Sequence, residues 1–202
     1  MRPGPEELEA LQKEITGKMV PGDDIVILGP VGIAGTLQLL ENCADRLKAV
    51  FSEGFLADAE EDCLSGRILP SDIQKLTGGR EVHAMYGLGP AGFLGGLWIM
   101  AEASSAGLKL DLRRVPILQY SVEICEVTGD NPYMIPSEGA VLLSMQSGEA
   151  FASEMRRQGI RAACAGEVNS GNDRLLYSGS IVRYLDKPPK HLRPGYAGED
   201  RS

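Results

Sequence analysis

The sequence predicts an α+β fold in α/β/α layers, a mixed β-sheet with helices flanking it. Three observations carry that expectation. Apolar residues switch repeatedly between helical spacing and short continuous or alternating runs. Twice a short apolar run enters a glycine turn and leaves as a helix, at GPVGIAGT (Gly29–Thr36) and at GLGPAG (Gly87–Gly92). No internal repeat or long linker divides the 202 residues, so helices and strands share one layered core.

The elements follow in order along the chain. Leu8, Leu11 and Ile15 recur at helical spacing behind Glu6 and Glu7, acids that a helix N-terminus favours. Pro21 and Gly22 interrupt the chain, and Asp24–Leu28 is an apolar strand leading into the first glycine turn. Leu37, Leu40, Ala44, Leu47 and Phe51 then mark one face of a single long helix. Phe55, Leu56 and Ala59 predict another helix ending near Cys63, and Pro70 with Ser71 open a further turn of helix. Residues 82–112 read as strand, glycine turn, helix and strand. Beyond them come a short helix over Ser121–Val127, a buried strand over Ala140–Met145, and a helix from Gly148 to Gln158 stopped by Gly159. Ile160–Val168 and Leu175–Tyr184 read as two strands joined by the polar turn NSGND. The domain expectation is a helix and linker over 1–20, one domain over 21–187, and a flexible tail over 188–202, where Pro, Gly and charge replace apolar periodicity.

Charge narrows the function. Twenty Lys and Arg against 28 Asp and Glu leave a net charge of −8, and no basic stripe forms an electrostatic footprint for nucleic acid. No stretch reaches the roughly 20 apolar residues that cross a bilayer, and MRPGPEELEALQKEI lacks the apolar run of a signal peptide. The expectation is therefore a cytoplasmic protein with neither nucleic-acid nor membrane partners. Cys43, Cys63, Cys125 and Cys164 are too dispersed for a zinc site and read as reduced core thiols. No metal site is expected. Small phosphorylated ligands remain compatible with this charge, since backbone N–H groups at glycine turns and helix N-termini hold phosphate without excess Lys or Arg.

Gly87, Gly89 and Gly92 also satisfy G-x-G-x-x-G, with Asp111 about 20 residues on, the fingerprint of a dinucleotide-binding unit for NAD or FAD. Against that alternative, His83 and Tyr86 interrupt the apolar run of a central parallel strand, and Asp111 alternates with Lys109 and Arg113 along a polar stripe. The first turn is not a P-loop, because Gly35 stands where that motif needs lysine.

Taken in order, PGDDIVILGPVGIAGT, AMYGLGPAGFLGGLWIMAEASSAGLKLDL, VPILQYSVEICEVTGDNPYMIPSEGAVLLSM and GIRAACAGEV resemble the C-terminal domain of the AIR synthase superfamily from about Pro21 to Lys187. That superfamily includes aminoimidazole ribonucleotide synthetase, selenophosphate synthetase, thiamine monophosphate kinase and a hydrogenase maturation factor, the last being the nearest in flavour. The resemblance implies a layered domain with a mixed sheet, in enzymes that use ATP and magnesium. There a separate N-terminal domain supplies the magnesium-binding acids and most of the nucleotide site. No such domain precedes Pro21, the usual turn aspartate is replaced by Gly87, and the chain ends GEDRS without the maturation factor's terminal cysteine.

The expected function is thus a stand-alone AIR synthase-related C-terminal-like domain that binds a phosphorylated small molecule, or the substrate-binding half of a split ATP-dependent enzyme, inactive alone and without its own cofactor. Its partners would be a separate ATP-binding chain and further copies in a homo-oligomer. The ligand-facing residues expected are Gly32, Gly35 and Thr36 of the first turn, Gly89 and Gly92 of the second, and, by resemblance, Ser137 and Glu138. Glu138 reads equally as a loop carboxylate satisfied by backbone N–H groups. His83 is a base or an ordinary core or surface residue, and Phe93, Trp98 and Met100 read as core.

Overall fold

The computed structural model describes residues 4–194. Sixteen regular elements follow the order the sequence implies. They are α1 (Pro5–Glu14), β1 (Thr16–Gly17), β2 (Asp24–Leu28), α2 (Ile33–Asn42), α3 (Ala44–Lys48), α4 (Glu53–Ser65), α5 (Pro70–Thr77) and β3 (Val82–Gly87), then α6 (Gly92–Ser104), β4 (Gly107–Asp111), α7 (Gln119–Thr128), β5 (Val141–Met145), α8 (Gly148–Arg157), β6 (Ala162–Asn169), β7 (Arg174–Ser178) and β8 (Ile181–Tyr184).

The strands form one mixed sheet in the order β1-β3-β5-β2-β6-β4-β7-β8, parallel only between β4 and β7. Period-two alternation sends successive β2 residues to opposite faces. Ile25 and Ile27 pack with Leu11 of α1 and Phe93 and Trp98 of α6, while Val26 and Leu28 pack with Phe151 and Met155 of α8 and Ile73 of α5. With both faces covered, the central β5 is buried at every position. A separate cluster of Leu47, Ala59 and Ile124 joins α3, α4 and α7.

The topology overturns the dinucleotide alternative. A dinucleotide-binding strand is flanked by parallel neighbours, whereas β3 lies between β1 and β5, antiparallel to both. The helix after its glycine turn leads to β4, four positions away. Asp111 is engaged by the Arg113 guanidinium and backbone N–H, so its carboxylate is not held for a ribose.

Three local expectations also change. The single helix through Phe51 breaks at Cys43 (φ −116°, ψ 21°) into α2 and α3. The apolar spacing continues across the bend, so periodicity does not register it. Leu175–Tyr184 is not one strand but the hairpin β7–β8, turning at Gly179 (φ +64°) and Ser180. Residues 188–194, expected to be flexible, are docked: Pro188 is buried, and Arg193 pairs with Glu7 of α1. Just ahead of them Lys187 pairs with the same Glu7 at 3.2 Å and sits 5.0 Å from the Trp98 ring centroid. The rest of the expected tail, 195–202, lies outside the described residues, as do 1–3.

Candidate functional site

The two glycine turns leave the sheet at the same end. Leu28, the last residue of β2, and Gly87, the last of β3, both pair with Val141, the first residue of β5. The segment 131–139 that leads into β5 therefore runs between the turns and is stitched to both. Gly32 donates its N–H to Ser137 Oγ at 2.9 Å, and Gly35 donates to the Pro136 carbonyl at 2.8 Å. Ser137 N–H reaches the Gly89 carbonyl at 3.1 Å, and Leu94 N–H the Tyr133 carbonyl at 3.0 Å.

This close approach explains the glycines. Gly92 has φ +69°, and a Cβ there would stand 2.5 Å from the Met134 carbonyl oxygen. A Cβ on Gly35 would meet Ile135 Cβ at 2.6 Å. Both turns thus need residues without side chains, so that the segment can lie against them.

The expected site residues consequently divide into two groups. Gly32, Gly35, Thr36, Gly92 and Ser137 are buried, with internal hydrogen bonds. Thr36 Oγ1 reaches the Gly32 carbonyl and Ser121 Oγ, each at 2.8 Å, and Gly92 N–H reaches the Gly89 carbonyl at 3.0 Å. The N–H groups of Gly32 and Gly35 are occupied by Ser137 and Pro136, leaving them no free hydrogen for a phosphate. Gly89 is half-buried and Glu138 exposed, and a Cβ on Gly87 or Gly89 would meet open space. The accessible part of the site is therefore Gly87, Gly89 and Pro90 together with Glu138.

Magnesium-nucleotide chemistry asks for converging acids. Among the described residues no group of three or more His, Cys, Asp or Glu side chains is placed to hold a metal ion. The residues present do not fit a complete magnesium–ATP site. Burial pushes the Cys63, Cys125 and Cys164 thiols up to about 11, so none of these three is a ready thiolate nucleophile. No described helix is long and apolar enough to cross a membrane.

A second polar cluster lies at the opposite end of the sheet, and of its members the sequence singled out His83 alone. Asp23 is fully buried and accepts hydrogen bonds from Ser144 Oγ, Gln146 Nε2 and the Val20 N–H. His83 Nδ1 lies 2.8 Å from its Oδ1, and His83 Nε2 lies 3.2 Å from Glu81 Oε1. Burial opposes ionisation of Asp23, but these hydrogen bonds outweigh it and hold the carboxyl below its ordinary value. Asp23 and its partners come from three strand ends up to 123 residues apart, and the only local signal was an acid just ahead of an apolar strand.

The comparisons with known proteins agree with the fold. A family model described as AIR synthase related protein, C-terminal domain, matches residues 20–177. Carbamoyl dehydratase HypE of Rhodobacter capsulatus is 25% identical over 177 residues, 84% of this chain but 49% of that protein. The structure of hydrogenase maturation protein HypE in complex with ATP aligns with a TM-score of 0.69 at 20% identity, covering 86% of this chain and 52% of that one. Thiamine monophosphate kinase of Aquifex aeolicus aligns with a TM-score of 0.58 at 15% identity, covering 85% and 54%. The chain spans about half the length of the relatives it matches.

Proposed function

Because the chain belongs to the family of AIR synthase related C-terminal domains, we propose that it works as the C-terminal half of a HypE-like, ATP-dependent assembly, with the nucleotide held by a companion half outside these 202 residues. The observation that carries this reading is the pairing of coverages: 84% of this chain aligns with only 49% of its carbamoyl dehydratase relative. The internally satisfied first turn and the lack of a metal-binding acid group among the described residues support it, because both leave magnesium and the triphosphate to be held elsewhere.

In this reading the chain's own contribution is binding and positioning. Gly87, Gly89, Pro90 and Glu138 face the companion half, and the open space at Gly87 and Gly89 leaves room there for a phosphorylated substrate. The edge strand β8 supports self-association as well, since Ile181, Val182 and Tyr184 are 66%, 51% and 65% exposed. Light scattering is expected to give more than one copy per particle.

The test is reconstitution. This chain alone is expected to leave ATP intact, and addition of the matching ATP-binding chain to start hydrolysis. Glu138→Arg is expected to lower that rate without lowering the melting temperature. ATP hydrolysis by the chain alone, or no hydrolysis with any companion, overturns the reading.

A further inference from the structure

We infer that a second ligand site, outside the two glycine turns, lies in the cavity between the α4–α5 connection and the α8–β6 connection, and that it takes a phosphate monoester carried on a compact apolar group. The cavity has a volume of about 400 Å³, within the range of small-molecule sites. Ile68, Leu76 and Ile160 line it and are half-buried against the core beneath that face of the sheet, which gives it an apolar side. Arg67, Lys75 and Arg161 line it together with Asp62 and Asp72, a local excess of cations over acids in a chain whose net charge is −8.

Those cations are exposed and only loosely paired. Arg161 meets Asp62 only at 4.0 Å, and Lys75 meets Asp72 at 3.6 Å. Arg67 makes no hydrogen bond or ion pair within the described residues; its stem lies against Gly139. The other large cavity, of about 420 Å³ beside Leu8 and Tyr184, differs in this respect. Its arginine, Arg174, is already engaged by Glu102 and the Ala106 carbonyl. Two guanidinium forks and an ammonium match the several oxygens of a phosphoryl group better than the two of a carboxylate. The backbone around them is firm: Arg161 accepts from Gly29 N–H and Ile68 donates to the Gly139 carbonyl, each at 2.8 Å. The site thus abuts the first glycine turn from outside.

The inference needs no ATP-binding companion, so it is tested on the full chain by itself, with phenyl phosphate as the probe and benzoate and phenol as controls. Titration calorimetry is expected to show saturable binding of phenyl phosphate at a dissociation constant of roughly 1 mM or tighter. Replacing both arginines, as Arg67→Gln with Arg161→Gln, is expected to weaken it by about tenfold or more at an unchanged melting temperature. The remote Arg46→Gln should leave it intact. Absence of saturable binding, benzoate binding as tightly as phenyl phosphate, or indifference to the double replacement each overturns the assignment. Failure of ATP turnover on reconstitution would not, which separates this inference from the proposed function.

Discussion

Ser137→Ala tests whether segment 131–139 is held on the glycine turns as the geometry says. The hydroxyl is fully buried, accepts from Gly32 N–H at 2.9 Å and donates to the Ile135 carbonyl at 3.1 Å. Alanine fills nearly the same volume, so little cavity energy enters. What is lost is the partner of a buried donor and of a buried acceptor, each costing about 1–3 kcal/mol when left unsatisfied. The carbonyl keeps a second lone pair, so a total of about 2–3 kcal/mol is expected. For a chain of this size that lowers the melting temperature by about 4–12 °C. Urea unfolding should show a lower midpoint with an unchanged slope, because the surface exposed on unfolding is the same. Glu138→Gln, one residue along and exposed, should stay within about 0.5 kcal/mol of the parent. If Ser137→Ala costs less than about 0.5 kcal/mol, the segment is not clamped through this hydroxyl and the account of the site is wrong.

Other substitutions probe the remaining features. Gly92→Ala combines a left-handed backbone with a Cβ 2.5 Å from the Met134 oxygen and should destabilise by about 2 kcal/mol or more; Gly89→Ala, opening onto free space, should be nearly silent in the same melting assay. Glu102→Ala strands the Arg174 guanidinium, whose side chain is only 14% exposed, and is expected to cost about 3 kcal/mol by urea denaturation. Adding Arg174→Met should recover part of that loss, and no recovery would count against the ion pair as its cause. His83, hydrogen-bonded to Asp23, has its pKa raised above the ordinary 6.5. Its stabilisation is therefore complete below about pH 6.5 and is lost as pH rises through the folded value. His83→Gln should flatten that decline, and a parent protein that gains stability across the same window would contradict the placement.

Much of the fold was legible because it is local. Short continuous apolar runs marked β2 and β5, and glycine turns ahead of apolar helices marked the starts of α2 and α6. That the two turns share one end of the sheet came from the pairing of β2 and β3 with opposite edges of β5. The internal use of the Gly32 and Gly35 N–H groups was not legible, because their partners, Ser137 and Pro136, lie about 100 residues downstream. The same holds for Asp23 with His83, and for the cavity at Arg67 and Arg161, which joins loops 94 residues apart.

By itself, then, the sequence determined element types, the buried faces and the family, since periodicity and turn chemistry are properties of neighbouring residues. Only the tertiary structure decided strand order, the docking of residues 188–194, and which backbone N–H groups remain free. Those depend on which distant segments meet, and a glycine that admits a phosphate looks the same in sequence as one that admits another stretch of the chain.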